Sequence, residues 1–296
     1  MRDEARRDTR QQMLAINVRQ KDFYESRFEA AETSATYTPE RAANVITNLW
    51  SRARLWIWRM RKVTGVDDQL YTLHHAWLGD LAGMRVLDLG CFSGNRLSLE
   101  IAERCGEYIG LDLSPHAIER LNSTLRERDL THAHAYAGDF LANDFPDASF
   151  DLVYAFSVLH HFQDMGVLLD ELARILKPGG TIISMDPLMT DPLNRLARLL
   201  YRPLQTDRAW EWPFTRATLR RLRRSFVIED LQGVAGAAKI GLALQLLPGM
   251  RRIGQVVCRW GQRWDNRFAR RQGLALYVCW WVSMRLRKPG GMSGDR

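Results

Sequence analysis

The chain has 296 residues, of which 46% are hydrophobic and 26% are charged, so it can bury a full core as one large domain or two small ones. Its 42 lysine and arginine residues exceed its 34 acidic ones, and the formal net charge of +8 fits either an anionic partner or a genome rich in arginine codons. The four cysteines have neither CxxC spacing nor nearby histidine pairs, which argues against a zinc site and a disulfide framework.

The N-terminal stretch MRDEARRDTRQQ is charged throughout and lacks the apolar segment of a secretory signal. The longest uncharged apolar run, 273–284, is shorter than the roughly 20 residues that span a bilayer. These features predict a cytoplasmic protein that is either soluble or attached to a membrane surface.

Residues 1–78 have helical character. Thr38 and Pro39 are the residue types of a helix N-cap followed by proline in the first turn. Apolar residues then recur at helical spacing as far as Ile57, and Gly65 is placed to end the element. A helix over this stretch is therefore predicted.

Residues 79–190 alternate short apolar runs with helical patterns. The strand candidates are RVLDLG, YIGLDL, AHAYAGD, FDLVYAF and GTIISMD, and 115–128 has the periodicity of a helix. Strands that alternate with helices are typical of βαβ units. The prediction is therefore an α/β fold with a parallel sheet covered on both faces.

Residues 191–290 form a third zone, rich in arginine and tryptophan, and 291–296 is predicted to be a disordered tail. The run LALYVCWWVSMRLR, from Leu274 to Arg287, places apolar residues at every second position. Because strict alternation is typical of a strand, a strand is predicted over the whole run.

The glycine-rich stretch RVLDLGCFSGN follows the first strand candidate. Gly90 and Gly94 suit a strand-turn-helix loop, but Phe92 stands where a dinucleotide site needs a second glycine. That glycine lets the backbone approach a pyrophosphate, so NAD is a poor fit. A ligand without phosphates would tolerate a side chain there.

Acidic residues follow the next two strand candidates. Asp112 comes 22 residues after Gly90, where a carboxylate can accept hydrogen bonds from both hydroxyls of a ribose. Asp139 could accept one from an exocyclic amine such as that of adenine. Each alone is compatible with a helix cap or a turn, but ligands of parallel sheets bind where such strand ends meet.

In this order, the motifs VLDLGCFSG, GLDLSPHAIERL, GDF, FDLVYAFSVLHHFQD and ELARILKPGGTIISMDP resemble the class I S-adenosylmethionine-dependent methyltransferases. The last two resemble the subgroup of quinone-biosynthesis and secondary-metabolite enzymes. The resemblance implies a doubly wound, Rossmann-like, mostly parallel sheet of seven strands with an antiparallel last strand. It also implies that FVIEDL is the sixth strand, that 232–273 is a helical insertion, that 1–78 is an N-terminal cap and that helices in 191–290 cover the acceptor.

The same resemblance implies S-adenosylmethionine as cofactor and assigns the residues that bind it. The first loop would hold the methionine portion, the acid after the second strand the ribose, and the acid after the third strand would face adenine. Phe92 departs from the family's usual glycine. The predicted cofactor-binding residues are Asp88, Gly90, Cys91, Gly94, Asp112, Leu113, Asp139, Phe140 and Phe156.

His160 and His161 end the fourth strand, at the mouth of the implied cofactor site. Either imidazole could act as a general base on a hydroxyl or phenol, although in the resembling subgroup the second histidine often supports cofactor packing. His74 and His75 could also reach the site but are predicted to lie on a helix surface. The chemistry demands no metal, and no metal site is predicted.

A basic amphipathic helix is predicted near the C-terminus. Apolar residues on one face, from Met250 to Trp264, alternate with arginines elsewhere on the helix. Such a helix is either a cap with a solvated arginine face or a surface that lies on an anionic membrane.

The leading hypothesis is methyl transfer to oxygen, carbon or nitrogen of a small hydrophobic or aromatic acceptor. A nucleic-acid methyltransferase is an alternative, but FSVLHH replaces the D/N-P-P-Y/F/W type motif and no cysteine follows a proline. A non-catalytic S-adenosylmethionine-binding protein is a second alternative, suggested by Phe92. The oligomeric state stays open.

Overall fold

A computed structural model describes residues 2–32, 62, 65–204, 209–245, 247–270 and 273–290. The helix predicted after Pro39 and the tail predicted at 291–296 lie outside the described residues. No described helix combines the length and the apolar character that crossing a membrane requires. The domain boundaries at 78/79 and 190/191 stay predictions.

Nine α-helices are present in the described part of the chain. They are α1 Arg2–Glu32, α2 Val66–Leu78, α3 Arg96–Arg104, α4 Pro115–Glu127, α5 Met165–Ile175, α6 Pro192–Tyr201, α7 Arg216–Ser225, α8 Ala238–Leu244 and α9 Arg251–Phe268. Several begin at a side-chain cap: Asn95 Oδ1 accepts from the backbone N–H of Leu97 at 2.8 Å, and Ser114 caps α4 with Pro115 in the first turn.

Seven strands form one sheet in the order β3-β2-β1-β4-β5-β7-β6. They are β1 Arg85–Leu89, β2 Glu107–Asp112, β3 Ala133–Ala137, β4 Phe150–Phe156, β5 Leu176–Pro187, β6 Val227–Val234 and β7 Trp281–Arg287. Strands β1 to β5 pair in parallel, and β7 is antiparallel to both β5 and β6. The predicted mostly parallel, seven-stranded sheet is confirmed.

Helices cover both faces of the sheet. Successive residues of a strand face opposite layers, so Leu87 packs with the buried side chains of α5 and α7, whereas Val86 packs with those of α2, α3 and α4. A smaller cluster joins α2 to the far ends of β5 and β6 and to α8 and α9. This double cover explains why β4 is mainly apolar.

The predicted C-terminal strand is correct only over its second half. Residues 281–287 form β7, but Leu274–Val278 is a 3₁₀ helix. Both neighbours end at the same level, since Trp281 pairs with Pro187 of β5 and Val234 of β6. Without a partner strand beyond that level, the chain turns, and Leu274 is 84% exposed.

Candidate functional site

The loop after β1 needs its two glycines for steric reasons. Gly90 has φ 68°, and a Cβ there would lie 2.5 Å from a methyl carbon of Val158. Gly94 has φ 81°, and its Cβ would lie 2.8 Å from Leu121 Cδ1. Phe92 also has a positive φ, 49°, in the region that favours glycine. The backbone therefore keeps the shape of a glycine-rich turn despite the phenylalanine.

Asp112 ties this loop to the end of β2. Its Oδ2 accepts from the backbone N–H of Phe92 at 3.0 Å, and its Oδ1 accepts from that of Ser114 at 2.9 Å. Burial raises the pKa of this carboxyl group, and these backbone hydrogen bonds oppose the rise. Because a carboxylate oxygen has two lone pairs, each one can accept a further hydrogen bond.

Cys91 and Leu113 flank the same connection. The backbone N–H of Cys91 donates to Leu111 O at 3.4 Å, beside the shorter 2.8 Å bond from Gly90 N to that oxygen. Burial raises the pKa of the Cys91 thiol well above its ordinary value. Cys91 is therefore a packing residue of the loop rather than a thiolate nucleophile.

Asp139 follows β3 and lies beside the Asp112 connection, because Gly138 N donates to Asp112 O at 2.8 Å. Its Oδ1 accepts from Leu141 N at 2.8 Å and its Oδ2 from the amide of Asn17 at 2.9 Å. Burial raises the pKa of Asp139.

Helix α1 lies across these strand ends. Arg10 donates to Leu141 O at 2.6 Å, and Glu25 contacts Ser114 and His116. Together with Asn17, these side chains connect α1 to the ends of both β2 and β3. Asn17 and Glu25 were not predicted as site residues, because no local pattern relates α1 to strands some hundred residues away.

Asp88 lies deeper, in β1 itself. It is 1% exposed, and the hydroxyl of Tyr108 donates to its Oδ2 at 2.8 Å. Burial raises the pKa of Asp88 to about 6, and repulsion from the Asp112 carboxylate adds to the rise. A positive charge nearby would favour the ionised form of this buried carboxyl group.

The two aromatic residues predicted to bind the cofactor pack against different hydrophobic clusters. Phe140 is 3% exposed and meets Phe162 edge to face, with ring centroids 6.1 Å apart. Phe156, at the end of β4, stacks on Tyr71 at 6.3 Å.

The histidine pair occupies a short 3₁₀ turn after β4. His160 Nδ1 lies 3.0 Å from Asp186 Oδ1, which also accepts from the His160 backbone N–H at 3.0 Å. His161 Nδ1 lies 2.7 Å from Trp210 O. Asp186 ends β5 and is fully buried, and its Oδ2 has no hydrogen-bond partner among the described residues. This aspartate lies in the predicted fifth strand but was not predicted as a site residue.

A cavity of about 390 Å³ adjoins the histidine turn. Two lining residues connect it to the turn: Phe162 follows His161 directly, and Trp212 N donates to His160 O at 2.8 Å. Neither histidine is itself among the lining residues. Its wall is mostly apolar, with three arginines and one glutamate. The lining residues are Phe162, Gln163, Met165, Met189, Arg195, Arg198, Leu199, Arg202, Glu211, Trp212, Pro213, Thr215 and Thr218.

The other histidine pair separates into two environments. His75 is exposed and lies 2.6 Å from a carboxylate oxygen of Glu100. His74 is fully buried, with Nε2 2.9 Å from Ser283 Oγ. The prediction of a surface position is wrong for His74, because α2 turns this residue toward the sheet.

Comparisons with known proteins identify a methyltransferase domain in the middle of the chain. Residues 87–184 match the family model described as a methyltransferase domain. A sterol 24-C-methyltransferase from Aspergillus fumigatus is 36% identical over 115 residues, which are 38% of this chain and 30% of that protein. A demethylmenaquinone methyltransferase from Lactococcus lactis is 32% identical over 112 residues, 37% of this chain and 44% of that protein.

The fold agrees with this match. Geranyl diphosphate C-methyltransferase from Streptomyces coelicolor superposes with a TM-score of 0.51 at 14% identity, covering 74% of this chain and 76% of that one. The chain spans only about a third of the length of the sterol enzymes that it matches. Residues 87–184 are therefore a methyltransferase domain, and the sheet has the order of the class I S-adenosylmethionine-dependent methyltransferases that the sequence resembles.

Proposed function

We propose that this protein transfers a methyl group from S-adenosylmethionine to a small, mainly apolar acceptor. The observation that carries the proposal is the Asp112 carboxylate, which joins the glycine loop to the end of β2 and keeps acceptor capacity on both oxygens. A ribose with two hydroxyls fits that arrangement.

The neighbouring residues suit the rest of the cofactor. Asp139 can accept from the exocyclic amine of adenine, and the loop from Gly90 to Gly94 can enclose the methionine portion. Asp88 supplies negative charge beneath that loop. The bound cofactor would supply an electrophilic methyl on a sulfonium, so the protein must align the acceptor, exclude water and accept a proton.

The cavity beside the histidine turn is the proposed acceptor site. Phe162, Met165 and Trp212 give it an apolar wall, which suits a hydrophobic or aromatic molecule. Arg198 and Glu211 add a charged pair, with nitrogen and oxygen 3.6 Å apart. An acceptor that is largely apolar but carries a hydroxyl or acidic group would meet both parts of this wall.

His160 is the proposed general base. When its Nδ1–H donates to Asp186, Nε2 is left as the proton acceptor, and the buried carboxylate stabilises the imidazolium that forms. Asp186 is thus proposed as a positioning residue. The ring of His161 bonds to the backbone carbonyl of Trp210, so His161 is proposed to support the turn.

Methyl-labelled cofactor incubated with cell extract tests the reaction. We expect label in the organic-soluble fraction with the parent protein. With Asp112→Ala we expect little label. S-adenosylmethionine should bind more weakly by about 1.5–3 kcal/mol, because its ribose loses a charged hydrogen-bond acceptor. Calorimetry measures the dissociation constant directly.

The outcomes separate the alternatives. Label in the nucleic-acid fraction would favour the nucleic-acid alternative, and cofactor affinity without transfer in any fraction would favour the non-catalytic one. An unchanged dissociation constant in Asp112→Ala would remove the ribose assignment.

His160→Gln is expected to lower the rate of methyl transfer to a hydroxyl acceptor by roughly 10²- to 10⁴-fold, with cofactor affinity unchanged. His161→Gln is the matched control and should lose far less. Equal losses in both variants would contradict a proton-accepting role for His160.

A further inference from the structure

Helices α8 and α9 meet backbone to backbone. A Cβ on Gly241 would lie 2.2 Å from Cys258 N, and one on Gly261 would lie 2.5 Å from Ala238 N. A Cβ on Gly254 would lie 2.7 Å from Gly241 O. Because only glycine allows this approach, the contact between the two helices uses the small residues of α9 and leaves no room there for its large ones.

The acidic residue of α9, Asp265, is buried in the same contact between the two helices. Asp265 is 1% exposed, and its carboxylate accepts from the backbone N–H groups of Gly236, Ala237 and Ala238 at 2.9, 2.7 and 3.2 Å. These N–H groups lie at the start of α8, where a helix N-terminus favours negative charge. The outer surface of α9 therefore carries no carboxylate of its own.

Large apolar side chains of α9 face outward instead. Ile253 is 51% exposed, Val256 is 57% exposed and Trp260 is 62% exposed. At 3.6 residues per turn these three positions follow one another along one stripe of the helix. Ile240 of α8 and Leu247, in the connection between the two helices, are also exposed. The amphipathic pattern found in the sequence is real, but this apolar stripe is not the face through which α9 packs.

A basic stripe runs beside the apolar one. Arg252, Arg259 and Arg263 recur at helical spacing next to it, and all three are exposed. None of them forms an ion pair with any residue that the structure describes. Apolar and cationic side chains thus share one solvent-facing surface with no acid on the helix to neutralise it.

We propose that this outer face of α9, defined by Ile253, Val256, Trp260, Arg252, Arg259 and Arg263, docks on an anionic lipid surface. The arginines would meet lipid phosphates while the apolar stripe enters the boundary between headgroups and acyl chains, with Trp260 at the headgroup level. The inference concerns where the protein works and does not depend on the identity of its acceptor.

Charge argues against a second copy of the chain as the occupant. A two-fold dimer brings the same surface of each subunit together, so the arginine stripes would approach one another without acids between them. An anionic bilayer satisfies both stripes at once. Its apolar interior would remove the exposed side chains of Ile253, Val256 and Trp260 from water.

Vesicle sedimentation tests the proposal, with phosphatidylcholine vesicles containing or lacking phosphatidylglycerol. We expect the parent to bind the anionic vesicles at low salt and to dissociate as salt shortens the Debye length to about 8–10 Å. The triple change Arg252→Gln, Arg259→Gln and Arg263→Gln should weaken binding by roughly 100-fold, since each arginine near the surface contributes roughly fivefold. The double change Ile253→Ser and Trp260→Ser should also weaken it.

A charge-matched control is available at the opposite edge of the sheet. Arg120→Gln, Arg126→Gln and Arg128→Gln alter exposed residues of α4 and its C-cap, beside β3, and should leave vesicle binding intact. Circular dichroism and cofactor affinity verify that each variant is folded. Absence of binding to anionic vesicles, or an equal loss in the control, would overturn the proposal. So would a dimer that Trp260→Ser dissociates without any effect of lipid.

Discussion

The unfolding free energy of Asp88→Asn is expected to increase relative to that of the parent by about 2.5 kcal/mol between pH 4 and pH 8. The pKa of Asp88 rises from an ordinary 3.8 to about 6 in the folded protein, chiefly through burial. A raised carboxyl pKa contributes stability that is complete below pH 3.8 and is lost as pH rises through about 6. The loss is about 1.36 kcal/mol per unit, and asparagine does not titrate.

The parent's affinity for S-adenosylmethionine should rise with pH, whereas the contribution of Asp88 to its stability falls. An ionised Asp88 attracts the cationic groups of S-adenosylmethionine, so the parent should bind more tightly as pH rises through about 6. Asp88→Asn should bind more weakly above pH 6 and lack this dependence. The fold would thus tolerate an unfavourable buried charge at neutral pH because that charge serves the proposed cofactor site.

Urea unfolding at several pH values, with calorimetry of cofactor binding, measures both effects. The exposed Asp129 supplies the matched control, Asp129→Asn. The difference in unfolding free energy between the variant and the parent is more informative than either absolute value. Any cost of placing an amide beside Tyr108 is the same at every pH, so it does not affect how this difference depends on pH. A difference that stays constant from pH 4 to pH 8 would contradict the raised pKa.

Patterns local in sequence predicted the sheet well. Strands β1 to β5 lie where the apolar runs predicted them, because a parallel strand covered on both faces is mainly apolar. The error at Leu274 has the opposite origin. Alternation predicts a strand only where a partner strand continues, and Trp281 is the last position at which β7 has partners on both sides.

Contacts between distant elements could not be predicted in this way. Asn17 and Asp139 are 122 positions apart, and His160 and Asp186 are 26 apart, so no local spacing relates them. The orientation of α9 has a similar reason. Its sequence offers an apolar stripe and a glycine stripe, and only the approach of Gly241 decides that the glycine stripe packs.

His74 is expected to make the fold acid-sensitive. Its imidazole is fully buried against Trp77 and Tyr154, with ring centroids 5.6 and 5.8 Å away. Burial lowers the pKa of His74 from 6.5 to about 3, because the charged form cannot be solvated there. Nδ1 has no hydrogen-bond partner among the described residues, so nothing there stabilises a second ring proton.

A depressed histidine pKa contributes stability that is present above pH 6.5 and is lost as pH falls toward about 3. Over this whole window the loss amounts to about 5 kcal/mol, and down to pH 4 it is roughly 3 kcal/mol. Between pH 6 and 3.8 protonation of Asp88 acts in the opposite direction. The parent's own pH profile is therefore flatter than either group alone would make it.

His74→Phe isolates the histidine contribution while keeping an aromatic ring in the same space. At pH 8 it should be slightly less stable than the parent, because the hydrogen bond to Ser283, worth about 1 kcal/mol, is lost. At pH 4 it should be more stable than the parent, because the phenylalanine ring cannot be protonated. From pH 8 to pH 4 the unfolding free energy of the variant should therefore increase by about 3 kcal/mol relative to that of the parent. The neighbouring, exposed His75→Phe is the control. Parallel stability profiles for the parent and His74→Phe across this range would show that the buried imidazole is not the acid-sensitive group.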